Sequence, residues 1–281
     1  MRHSACLLEN LLKTKFEKPR GVLAQNFPSG EIAHQRFHPS PDLASRVEHF
    51  WSVHWNLERE SPHKVATLPH PSVHLVFEKD RTTLDGVRKG MFSRTLTGNG
   101  FVFAVKFRPA SFYGFYGKDL TALTDKSVYP SEVFGPDFAA LEAKVLSAPS
   151  PAEMFKCTED YLRGHLPPED EDANFLNNLL SRIASNPSIT RVAHLVPLSG
   201  STVRQLQRLF NRYVGVSPKW VIARYRIHEV LERVHENTFK DWVYLALDLG
   251  YSDQAHFIRD FKALVGTTPL LYQMRKPGRA R

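Results

Sequence analysis

Apolar positions along this chain follow two periods, and the change from one to the other divides it. Over residues 22–107 the apolar runs are short, aromatic and β-branched. They are Phe50-Trp51-Ser52-Val53-His54-Trp55, Val73-His74-Leu75-Val76-Phe77 and Phe101-Val102-Phe103-Ala104-Val105-Lys106-Phe107. Clusters of proline, glycine and aspartate separate them, among them Asp85-Gly86, a hairpin candidate. Short strands at this spacing predict a small barrel or sandwich. A short helix over 42–49 is expected behind Pro41. Beyond Pro109, residues 120–125 suit a loop or short helix, while 138–146 and 152–162 have helical periodicity. Two such helices serve either as a dimerisation surface or as a cover for one open side of the sheet.

Pro167 and Pro168 followed by Glu169, Glu171, Asp170 and Asp172 cannot bury apolar surface, so 167–173 is predicted to be a linker. It separates a β-rich domain, 1–166, from an all-helical one, 174–281. In the second, Phe175, Leu176, Leu179, Leu180 and Ile183 form one helical stripe. A helix over 190–195 or slightly beyond meets a turn at Gly200. Ser201 or Thr202 is placed to cap the next helix. There Val203, Leu206, Leu209 and Phe210 make the inward stripe, and Arg204, Gln207, Arg208 and Asn211 the outward face. One longer helix is predicted from Pro218 to about Val234. A helix over 241–249 follows, with small Ala246 allowing close approach, and then one over 253–264. That last helix turns Phe257, Ile258 and Phe261 inward and Gln254, His256 and Arg259 outward.

This second half says nearly the same thing twice. Phe210 and Phe261, Gly215 and Gly266, and Pro218 and Pro269 are each 51 positions apart, which argues for an internal duplication. Each copy has the outline of a helix-turn-helix. Its outward arginines and glutamines are the residue types that pair with guanine and adenine edges in the major groove.

Charge sharpens the division. The chain carries a net +8, and residues 174–281 hold 16 lysines and arginines against 7 acids, leaving 21 against 22 in the first 173. The basic excess therefore belongs to the repeated region, as phosphate attraction requires. No apolar run approaches the ~18 residues of a membrane span. The first 20 residues lack the apolar core and cleavage site of a signal peptide. The two cysteines, Cys6 and Cys157, are far apart and fit a reducing compartment, with Cys157 expected on a buried helix face.

The first half is rich in histidine: His34, His38, His49, His54, His63, His70 and His74. On one strand His70, His74 and Glu78 would share a side, but a metal needs three or four converging ligands, and structural or surface roles are the expectation. No nucleophile elbow, phosphate loop or dinucleotide fingerprint is present. No catalytic residue, metal site or cofactor is predicted.

At the repeated motifs the chain resembles the AraC/XylS-type transcriptional regulators. Their Leu-Gln-Arg-x-Phe and Gly-Val-Ser-Pro segments stand here at Leu206 to Phe210 and Gly215 to Pro218. Their Ala-x-x-x-Gly-Tyr/Phe-Ser-Asp-Gln-x-His-Phe segment stands at Ala246 to Phe257. The resemblance implies a seven-helix DNA-binding domain whose two recognition helices enter successive major-groove segments. It implies DNA contacts from Arg204, Gln207 and Arg208 in the first unit, and from Gln254, Ala255, His256 and Arg259 in the second. Ala255 can offer only an apolar contact. Val196-Pro197 departs from the family pattern, and proline there should kink or shorten the first support helix. Pro41-Asp42-Leu43, Phe50-Trp51-Ser52-Val53 and Lys106-Phe107-Arg108-Pro109 resemble, more weakly, segments of the family's cupin-like sensor domain.

The sequence thus points to an α+β protein: an N-terminal small β-barrel or sandwich with flanking helices, and a C-terminal all-α domain with two helix-turn-helix units joined by a long helix. Its expected function is sequence-specific transcription regulation in the cytoplasm, at the nucleoid, and not catalysis. The partners this allows are double-stranded DNA, RNA polymerase, a small-molecule effector and a second copy of the chain as a homodimer, with no membrane. Trp51, Trp55, His70, His74 and Arg108 are the candidate effector-pocket residues. The alternatives are a DNA-binding regulator with no small effector, controlled by abundance or a partner protein, and a metal-dependent enzyme that the basic domain merely targets.

Overall fold

The computed structural model describes Leu23 and residues 32–57, 62–236, 238 and 241–274. Cys6 and the rest of the basic N-terminal segment lie outside the described residues. The strands are β1 (Ile32–Phe37), β2 (Val47–Asn56), β3 (His63–Thr67), β4 (His74–Phe77), β5 (Thr83–Asp85), β6 (Phe92–Leu96), β7 (Asn99–Phe107) and β8 (Ser127–Val128). Six of them form one antiparallel sheet in the order β1-β2-β7-β4-β5-β8, and β3 pairs with β6 in a second. The sandwich expectation is met in this open form, but among the described residues no closed barrel forms. The six-stranded sheet runs from β1 to the two-residue β8 without the ends joining.

Alternation decides the two faces of the larger sheet. Phe50, Leu75, Phe77, Leu84, Phe103, Val105 and Phe107 point to one face and are buried. That face is covered by helices α3 (Phe138–Ser147) and α4 (Pro151–Gly164), after the short α1 (Phe112–Tyr116) and α2 (Ser131–Phe134). Phe77 stacks on Phe138 at 5.8 Å and Phe37 on Phe155 at 5.2 Å. Covering the sheet, one of the two roles the helical periodicity left open, is thus the one these helices fill. Cys157 is half-buried on α4 beside this core.

Two local expectations are corrected. Asp85-Gly86 is no hairpin: Asp85 ends β5, and Gly86 passes so close to the Leu123 carbonyl that a Cβ would overlap it. Glycine is there for close approach. The expected helix over 42–49 is only a turn, closed by the Val47 amide on the Leu43 carbonyl, because Val47 already enters β2.

The acidic stretch also behaves differently from a plain linker. Helix α5 (Glu171–Ser185) begins inside it, and Asp170 caps it by accepting the Ala173 amide at 3.0 Å. Acids at a helix N-terminus are stabilised by its free amides, so these residues start an element rather than separate two. A 3-10 turn (Val192–Leu195) then runs into α6 (Val196–Ser199), followed by α7 (Val203–Val214), α8 (Pro218–Glu236), α9 (Trp242–Asp248), α10 (Gln254–Val265) and α11 (Pro269–Met274).

Helix α8 is the spine of this half. Val221 and Ile222 enter a core with α5 and α7, while Ile227, Val230, Leu231 and Val234 enter a second core with α9, α10 and α11. Both cores also take N-terminal residues, Val87 and Ala110 in the first and Leu68 in the second. The two halves are therefore packed together.

Candidate nucleic-acid interface

The first unit is α6 and α7. Thr202 caps α7 with a reciprocal capping box: its hydroxyl accepts the Gln205 amide, and the Gln205 side chain accepts the Thr202 amide at 2.8 Å. Leu206, Phe210, Tyr213 and Val214 are buried. Val203, expected in that stripe, is instead 39% exposed, and Leu209 is only half-buried. In the support element, Pro197 sits in the first turn of a four-residue helix preceded by a 3-10 turn. The proline thus leaves only a short α-helical piece, Val196–Ser199, behind the 3-10 turn.

Arg204, Gln207 and Arg208 are exposed on the side of α7 away from its core. Arg212 continues the same row one turn later, but it is already engaged. Its Nε donates to the Tyr113 hydroxyl at 2.8 Å, and its guanidinium lies over the Tyr113 ring at 4.8 Å. The N-terminal domain thus takes the last arginine of the row. Sequence reasoning passed over Arg212; the i, i+4, i+8 series from Arg204 was the available signal.

In the second unit Asp253 caps α10 by accepting the His256 amide at 2.7 Å, and that bond holds its carboxyl below the usual range. Phe257, Phe261, Leu264 and Val265 are buried, while Ile258 is only half-buried. Ala246 of α9 is buried and accepts the Tyr251 amide at 3.0 Å, so the small residue does sit where the turn closes. Gln254, Ala255 and Arg259 are exposed. His256 is less so: Asp260 lies 3.6 Å from its Nε2 and the edge of Tyr251 meets its ring at 5.3 Å. The helix presents Arg259 and Gln254 more openly than His256.

The five effector candidates do not converge. Trp51, Trp55 and His74 share the sheet face that β3 and β6 cover, with Trp51 and His74 ring to ring at 6.4 Å. Trp55 lies further along, in a small cluster with Leu57 and Leu96. His70 and His74 do not share a strand side, because the chain turns between them, with the Ser72 amide on the His70 carbonyl. His70 leaves the sheet to stack on His228 of α8 at 4.3 Å. Glu78 pairs with Arg94. Arg108 donates to the Ala44 carbonyl at 2.5 Å and borders a separate cleft beside Asn177.

The register adds residues that the sequence reading did not select. Arg36, His49 and Lys106 lie on the face of Trp51 and His74. Lys106 is buried and donates to Glu48 at 2.8 Å. Burial first, and then Lys106, push His49 down to about 2 and His74 to about 3. Glu48 also comes within 3.6 Å of His49, but the lysine holds that carboxylate and burial dominates. The available signal was a lysine inside an otherwise apolar strand. Among the described residues no group of three or more histidine, cysteine or acidic side chains is arranged to hold a metal ion. Nor is any described helix long and apolar enough to cross a membrane.

Residues 198–275 match the family described as Helix-turn-helix domain, and residues 35–129 match the Domain of unknown function (DUF6597). No curated protein matches the chain. Among solved structures, ToxT from Vibrio cholerae in its P21 form is 13% identical, with a TM-score of 0.38, over 88% of this chain and 100% of that one. ToxT from Vibrio cholerae O395 is 14% identical, with a TM-score of 0.36, over 89% and 98%. A wild-type ToxT bound to an unsaturated fatty acid is 13% identical, with a TM-score of 0.36, over 92% and 100%.

Two helix-turn-helix units on one spine, each with an exposed polar helix face, together with the matched domain, define a DNA-binding transcription regulator. Its helix-turn-helix domain is of the AraC type.

Proposed function

We propose that Arg204, Gln207 and Arg208 on α7, and Gln254, Ala255, His256 and Arg259 on α10, read two successive major-groove segments of one duplex. The observation that carries this is α8: one continuous helix contributes to the core of each unit and so fixes their separation. Segments one helical turn apart, about 10 bp, can then be met by both helices at once. The basic excess of residues 174–281 supports phosphate contacts alongside the base contacts.

The N-terminal domain is proposed as the receiving half, for an effector or a protein partner such as RNA polymerase or a second copy. Its support is the packing of that domain against α7 and α8, through which a change could reach the DNA-binding units. A cytoplasmic site of action follows from this role.

The test is a binding selection from random duplex DNA with the whole protein. A recovered motif in two parts about 10 bp apart establishes readout by both helices. One short motif reduces readout to a single unit. Tight low-salt binding with no motif overturns sequence-specific reading.

A further inference from the structure

Cations on α7 recur at helical spacing. Arg204, Arg208 and Arg212 stand four apart, so they share one stripe, and each is exposed. The first and the last are separated by about 12 Å along the helix axis, roughly the width of a major groove. A helix that sets Arg204 and Arg208 on base edges therefore carries Arg212 to the phosphates at the wall of the groove.

Arg212 is instead held by the N-terminal domain, and by the edge that a phosphate would use. Its Nε and one terminal nitrogen both donate to the Tyr113 hydroxyl, the first at 2.8 Å. Two adjacent N–H groups of this kind form the fork that clamps a phosphate with parallel bonds. The Asp119 carboxylate stands 3.9 Å from the same Nε. The Tyr113 and Tyr213 rings, 4.3 Å apart, form a bed for the guanidinium, which lies 4.8 Å from the first and 5.6 Å from the second. A phosphate approaching this edge meets an occupied fork and a carboxylate of its own sign. The Arg212 side chain is still half exposed, so releasing it takes a side-chain rotation and no unfolding.

We infer that Arg212 is a further contact of the first unit to the phosphate backbone of duplex DNA, held back by Tyr113 and Asp119 while the N-terminal domain is docked on α7. The docking is fastened beyond the arginine, where the Thr124 hydroxyl donates to the Gly215 carbonyl. It therefore covers the C-terminal end of α7 and leaves Arg204 and Arg208 open. A change that moves Tyr113 away by the length of a hydrogen bond adds one phosphate contact and alters no base-facing residue. Affinity then rises on every sequence alike, since a phosphate carries no base identity. This inference rests on the proposed DNA-facing role of α7 and not on any single base contact.

The experiment measures binding of the whole protein to a short duplex of arbitrary sequence as salt is varied. Tyr113→Phe keeps the ring on Tyr213 and removes the acceptor. Its affinity at about 50 mM salt should exceed the native value about threefold or more, with a log–log salt slope steeper by about 0.9, the mark of one more phosphate. Adding Arg212→Gln to Tyr113→Phe should remove the gain. Asp119→Asn, at a side chain that makes no cap hydrogen bond, should raise affinity in the same way, and it decides the matter if the tyrosine variant does not fold. No gain, a gain with the native slope, or a gain that survives Arg212→Gln overturns the contact. If the native protein itself fails to bind the duplex at low salt, the DNA-facing reading of α7 falls with it; native binding without a gain removes Arg212 alone.

Discussion

The Thr124 hydroxyl donates to the Gly215 carbonyl at 2.6 Å, so the turn that ends α7 is fastened to the N-terminal domain. Gly215 has φ +88°, and a Cβ there would come within 2.8 Å of the Leu120 carbonyl oxygen. Its counterpart in the second unit, Gly266, has φ +78° but would meet only the end of Met91, at 3.7 Å. The duplicated glycines share a conformation and differ in what lies over them.

Gly215→Ala should therefore cost more than Gly266→Ala. Left-handed backbone alone costs an alanine about 1–2 kcal/mol, which both variants bear. Only Gly215→Ala adds the clash with Leu120. Melting temperatures of the two variants check this. Equal losses would mean that the N-terminal domain does not press on α7.

Arg224 is 0% exposed on α8, stacks on Trp220 at 4.4 Å and donates to the Lys89 and Arg88 carbonyls, the latter at 3.0 Å. Arg224→Met keeps the stem and removes the donors. Two carbonyls of the N-terminal domain then lose their partner, for a loss of about 1–3 kcal/mol. Denaturant midpoints measure it, and an unchanged midpoint would show that the two halves are not held by this contact.

Acid should weaken the N-terminal sheet before its carboxylates titrate. Burial, reinforced by Lys106, holds His49 near 2 and His74 near 3, whereas in the unfolded chain both protonate near ~6.5. Stability is then complete above about pH 6.5 and falls as pH drops below it, since the unfolded chain binds the extra protons. The fall is up to ~1.4 kcal/mol per pH unit for each histidine. Urea midpoints at about pH 7 and 5.5 should separate by more in the native protein than in a His49→Gln, His74→Gln double variant. Parallel behaviour would remove these two residues from the explanation.

If Arg259 holds a base edge, Arg259→Ala should weaken specific binding by ~1–3 kcal/mol and relax the choice at one base pair. Uniform weakening on every sequence would instead make it a phosphate contact. In both cases the affinity of the native protein should fall steeply with salt; a flat response between about 50 and 200 mM counts against any phosphate-dominated interface.

What the sequence determined by itself was local and periodic. Leu206 and Phe210, and Phe257 and Phe261, had to turn inward because helical spacing puts each pair on one face. Pro197 had to fall in the first turn of an α-helix because proline lacks an amide donor and crowds the preceding turn. Thr202 and Asp253 had to start helices because their oxygens satisfy the first amides. The aromatic runs likewise carried the strands. Tertiary structure decided everything that depends on contacts between distant segments. Strand register put Arg36, His49, Trp51, His74 and Lys106 on one face and left His70 and Arg108 elsewhere, and no spacing within one strand encodes its neighbour's register. Docking of the two halves took Arg212 out of the exposed row of α7 and covered Arg224. It also brought His70 onto His228 of α8, because the partners in these contacts lie about 100 residues or more apart in the chain.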